Sequence, residues 1–137
     1  MLKKLTVLAL CTIMLFALNY TNNVPTFSGY ATEFEVYVGE ASSSAQILSL
    51  DANSYPLVKD ISGEAVKIDL EEFSLEQFLS DFSAKIVFSE QISEGISYYA
   101  FSPKIKYRKK VCGEIVNLQI FVGNSVTVGT PIICGSF

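Results

Sequence analysis

The chain has 137 residues, half of them apolar and 18% charged, with a formal net charge of −4. That length is one domain's worth of material. It contains no His and no Trp, which excludes a Ser-His-Asp triad, a Cys-His pair, an imidazole-ligated metal and a His-based pH switch.

The opening MLKK is a short basic region, and residues 5–18 (LTVLALCTIMLFAL) carry no charge. This pattern predicts a secretory signal, because a spanning helix wants about 17 to 25 apolar residues. Gly29-Tyr30-Ala31 is a small-x-small cleavage site. Left uncut, the segment would be a short N-terminal anchor. Leu8-Ala9-Leu10-Cys11 loosely resembles a lipidation box, but the bulky Leu10 stands where a small residue belongs, so Cys11 reads as one more apolar residue. Residues 1–31 are therefore expected to be a signal peptide or anchor plus a polar linker (NYTNNVPTFSGYA, 19–31). Residues 32–137 are expected to be the folded domain, secreted or membrane-anchored outside the cytoplasm.

From residue 32 onward eight Lys and Arg face fourteen Asp and Glu, a balance of about −6. Residues 33–38 (EFEVYV) alternate as a strand half-buried on one face should. Residues 39–44 (GEASSS) read as a loop, 45–50 (AQILSL) as a second strand, and 51–63, with Asn53, Pro56 and Gly63, as connection. Residues 65–70 (AVKIDL) alternate again. Ser74 and Gln77 then fit the N-cap and N3 positions of a capping box. Phe73 and Phe78 are spaced as a hydrophobic staple. Leu75, Phe78, Leu79 and Phe82 recur on one face of a three-turn helix. Glu71, Glu72 and Glu76 suit its positive dipole end, which accounts for them without any catalytic role.

Residues 85–89 and 96–102 predict two strands around a turn at 93–95. Between them and the last strand pair lies SPKIKYRKK (102–110), which holds Lys104, Lys106, Arg108, Lys109 and Lys110, five of the eight cations. On a strand, Lys104, Lys106, Arg108 and Lys110 share one face, with Ile105, Tyr107 and Lys109 on the other. Pro103 cannot donate to a ladder, which suggests an edge strand or an exposed excursion. The block then either deters sheet-to-sheet aggregation or contacts an anionic partner through Lys104, Lys106, Tyr107, Arg108, Lys109 and Lys110.

Residues 114–122 and 126–134 predict a hairpin around Gly123-Asn124-Ser125. This register sets Val122 against Val126, Ile120 against Val128, Leu118 against Thr130 and Val116 against Ile132, and gives one continuous apolar face. It also puts Cys112 and Cys134 one diagonal step apart, near the outer limit for a disulfide. They either pair or remain two free thiols. The sum is α+β: a single antiparallel sheet of five to seven strands with one main helix packed on one face.

Three elements of the C-terminal half, SPKI at 102–105, VNLQI at 116–120 and GTPII at 129–133, resemble the YwmB family. Its members are exported proteins of Gram-positive spore-formers with a TATA-box-binding-protein-like fold. The resemblance implies a curved antiparallel sheet packed on helix. It supplies no catalytic residues and does not imply DNA binding, since fold does not carry function. The expectation is a non-enzymatic envelope domain, with no cofactor, metal or nucleic acid, that contacts anionic lipid, wall polymer or an envelope protein through its basic segment. The alternative is an interaction subunit that pairs through a strand edge or the helix face.

Overall fold

The computed structural model describes residues 1–19, 23–39 and 46–134. The expected 39–44 loop falls outside them apart from Gly39. In chain order the described elements begin with α1 (Leu2–Asn19), β1 (Glu33–Val38), β2 (Gln46–Asp51) and β3 (Ile61–Ile68). Next come α2 (Leu75–Asp81), β4 (Lys85–Ile92), β5 (Gly95–Phe101) and β6 (Lys109–Val111). The last are β7 (Glu114–Val116), β8 (Leu118–Val122) and β9 (Val126–Thr130). Short 3-10 turns lie at Tyr55–Leu57 and Leu70–Glu72. Seven strands form one antiparallel sheet in the order β2-β1-β3-β9-β8-β5-β4, and β6 with β7 forms a separate ribbon. The fold is α+β, with the helix-bearing antiparallel sheet that the alternating strands called for.

Alternation decides which face is buried. The register aligns Val36 of β1 with Glu64 of β3, and Val66 of β3 with Val128 of β9, and Phe34 lies two residues before Val36, so these side chains share the core face. α2 covers that face. Its Ser74 N-cap side chain accepts from the Gln77 amide, as the capping box requires, but the Gln77 side chain donates forward to Asp81 Oδ1 at 2.8 Å. The staple is formed, with the Phe73 and Phe78 rings 5.5 Å apart. The helix is shorter than three turns. Ser83 adopts φ 49°, and the amides of Ser83 and Ala84 bond the carbonyls of Ser80 and Leu79. That pair of bonds is a Schellman closure, and it ends the helix with Phe82 as its cap.

Three expectations are corrected. The 19–31 linker is not a free connector. Phe27 is fully buried, its ring 5.7 Å from Phe82, and the Tyr30 ring lies 4.9 Å from Phe78. An apolar ring of this size gains about 2–3 kcal/mol by leaving water, so residues 23–31 belong to the folded domain, with Phe27 in its core. The strand expected over 114–122 breaks at Asn117. Its first part, β7, pairs with β6 through a two-residue turn in which Cys112 (φ 51°) and Gly113 (φ 81°) are both left-handed, the geometry of a type I′ hairpin.

The third correction is at the C-terminus. The pairs Val122 with Val126 and Ile120 with Val128 form as expected, but β9 stops at Thr130. Residues 132–134 fold back over the helix-free face, where Ile133 N donates to Gln119 Oε1 and Cys134 N to Tyr37 Oη, both at 2.9 Å. Gly129 permits this crossing, since a Cβ there would lie 2.8 Å from Ile133 Cγ1. Val116 therefore never meets Ile132, and the register that brought the thiols together is lost. Cys112 is exposed and Cys134 half-buried, and both are free.

Beyond Lys3 and Lys4, α1 is mostly apolar and unburied, with Leu5, Leu8, Ile13 and Phe16 each more than 60% exposed. No helix among the described residues is long and apolar enough to cross a membrane.

Candidate anion-contact surface

The basic segment leaves β5 at Ser102 and is held by one buried amide. Asn117 Oδ1 accepts from Ser102 N at 2.7 Å, and Asn117 Nδ2 donates to Ser102 O at 2.7 Å and Ile105 O at 3.1 Å. Ser102-Pro103-Lys104-Ile105 closes as a turn, with Ile105 N reaching Ser102 O. Proline at the second position of a turn is the local reason. The segment is thus neither a strand of the main sheet nor an edge strand, since only Lys109 and Lys110 enter a ladder, that of the small β6–β7 ribbon.

The predicted partition of side chains survives without the strand. Lys104, Lys106, Arg108 and Lys110 are exposed, Ile105 is buried, and Tyr107 and Lys109 are half-buried. Each of three cations has a local support. Lys104 Nζ donates to Asp81 O at 3.1 Å, Lys106 Nζ lies 5.1 Å from the Tyr107 ring centre, and Arg108 Cζ lies 5.2 Å from that of Phe101. Aromatic faces attract cations with about 0.5–1 kcal/mol at exposed sites. These contacts leave the charged heads in water.

Lys104 and Lys106 line a groove of about 380 Å³ with Val24, Thr26, Asp81, Phe82 and Ile105. Asp81 is the one acid in that lining. Its oxygens accept from Gln77 and from the Tyr30 hydroxyl, and chiefly the latter bond holds its carboxyl below the usual range. The Tyr30 hydroxyl is pushed up to about 12, by burial first and then by Asp81.

Beneath the segment lies a group that sequence reasoning missed. Glu64 is fully buried on the core face of β3. It accepts from Thr26 N at 2.5 Å, Phe27 N at 3.3 Å and Tyr55 Oη at 2.9 Å. Tyr107 is hydrogen-bonded to Tyr55, and both tyrosines are raised by burial and then by the charge of Glu64. The signal was present: Val66 and Ile68 point inward, so alternation puts Glu64 inward too.

Acidic and polar side chains line two clefts on the helix-free face. Glu33, Glu35, Ser49, Lys67 and Thr127 line a cleft of about 330 Å³, and Glu35, Lys67, Glu94, Asn124 and Cys134 line a second of about 270 Å³. Burial raises the Cys134 thiol, with the charge of Lys109 only partly opposing it. Among the described residues no group of three or more His, Cys, Asp or Glu converges as a metal site. Comparison of the chain with models of known protein families, with curated proteins and with solved structures finds no match.

Proposed function

We propose that this protein is an exported, non-enzymatic α+β domain that docks on an anionic lipid surface through the exposed cations of residues 104–110. One observation carries the reading. Val24, where the chain returns from α1 into the fold, lines the same groove as Lys104 and Lys106. The uncharged stretch of α1, preceded by Lys3 and Lys4, is built for a bilayer during export. Whatever part of the N-terminus stays in lipid therefore brings the basic segment to the headgroups. Cations at such a surface contribute about 1 kcal/mol each. The resemblance to the exported YwmB family points to the same compartment.

The test is binding of the full chain to vesicles of phosphatidylglycerol against vesicles of phosphatidylcholine at rising salt. A preference for the anionic vesicles is expected, and it should fade as salt screens the charges. Lys104→Glu, Lys106→Glu and Arg108→Glu together should weaken anionic binding at least about tenfold. An unchanged preference in that variant would leave the cations with a structural role only.

A further inference from the structure

β4 closes one end of the seven-stranded sheet. Among the described residues no strand pairs with its outer row of backbone N–H and C=O groups, the row that a further strand would use. The middle of that edge is apolar and reachable. Ile86 is 42% exposed and Val87 38%, and the half-buried Phe88 stacks on Tyr99 with ring centres 4.5 Å apart.

Residues five apart on a regular strand point to opposite faces. β4 is not regular, because its register on β5 shifts between Ile86 and Phe88. Lys85 pairs with Phe101 and Glu90 with Ser97, and Phe101 and Ser97 lie four apart on one face of β5. The bulge at Val87 thus brings Lys85 and Glu90 to the same side of the sheet, the helix-free side. Along that side the strand reads cation, apolar centre, anion, which is its own complement when reversed.

We propose that the β4 edge is a homodimer interface, in which β4 pairs antiparallel with β4 of a second copy about a twofold axis between Val87 and Phe88. That register sets Lys85 against the second copy's Glu90 twice over. It matches Ile86 with Ser89, which share the other face, and gathers Val87 and Phe88 at the axis. The interface then has the apolar centre and charged rim of a specific contact, and it is isologous, so it closes. A bulge and an edge lysine discourage pairing with an arbitrary strand. Here the bulge aligns the charges, and the lysine meets carboxylate in this register. The opposite edge, β2, carries Asp51 and no cation, so it has no such self-complement.

Sedimentation equilibrium of the full chain in mild detergent tests this without any lipid vesicle, and so independently of the membrane reading. A monomer–dimer equilibrium is expected. Lys85→Glu or Glu90→Lys alone, both on the surface, should each weaken it about tenfold, since two attractive pairs become repulsive. An equimolar mixture of the two variants should recover dimer, because each changed charge then faces the other. A wild type that stays monomeric near millimolar concentration would overturn the proposal. So would association indifferent to either variant, variants that fail to recover on mixing, or open-ended polymers.

Discussion

At Glu64 one carboxylate joins parts of the chain 38 residues apart, because its oxygens are the acceptors for two backbone amides of the 23–31 segment and for Tyr55. Replacing it with Ala leaves those donors buried without partners and opens a cavity. Equilibrium denaturation should show a loss of about 3–5 kcal/mol, and a loss below about 1 kcal/mol would mean that the segment finds other acceptors. Tyr30 gives a pH prediction. Its hydroxyl rises from 10.0 to about 12 on folding, so between those values the folded state holds more protons than the unfolded one, and stability falls as pH rises. Melting temperature should therefore decline from pH 10 upward, and less steeply in Tyr30→Phe. Asp81 works in the other direction: its lowered carboxyl contributes above its unfolded value and loses that contribution as pH falls through the folded one.

α2 was legible at its start and not at its end. Ser74, Gln77, Phe73 and Phe78 are near neighbours in sequence, so their cap and staple follow from spacing alone. The stop depends on Ser83 taking a left-handed conformation that glycine adopts without a Cβ penalty. Ser83→Gly should stabilise the fold by about 0.5–1 kcal/mol and raise the melting temperature by about 3 °C. The basic segment was legible in which side chains it exposes, and illegible in its conformation. Proline at 103 favours a turn, but Asn117, fifteen residues from Ser102, is what pins that turn. Asn117→Ala should speed hydrogen exchange at the Ser102 amide and cost about 2–4 kcal/mol by unfolding measurements. An unprotected Ser102 amide in the wild type would contradict this role.

For the whole molecule the decisive boundary is where the domain begins. A polar, aperiodic stretch with one Pro and one Gly reads as a linker. Yet Phe27 and Tyr30 within residues 23–31 pack against Phe78 and Phe82. A chain beginning at Asn23 should unfold cooperatively, as judged by circular dichroism. One beginning at Thr32, without the Phe27 ring and the amides that satisfy Glu64, should lose at least about 4 kcal/mol, a large share of what a small domain has. Equal melting of the two would restore the linker reading.

Local pattern alone determined that strands lie at 33–38, over 85–89 and over 96–102 (observed as 85–92 and 95–101), together with the start of α2 and the β8–β9 hairpin with its Val122–Val126 and Ile120–Val128 register. Each of these follows from the period of a strand or a helix, or from turn chemistry within a few residues. Tertiary structure alone decided that residues 23–31 close the core, that 114–122 divides at Asn117, and that the chain after Thr130 crosses the sheet and parts the two thiols. Those outcomes depend on buried polar groups finding partners far along the chain, Glu64 with Thr26 and Asn117 with Ser102. The cost of leaving such groups unsatisfied is a property of the packed interior, and no window of neighbouring residues contains it.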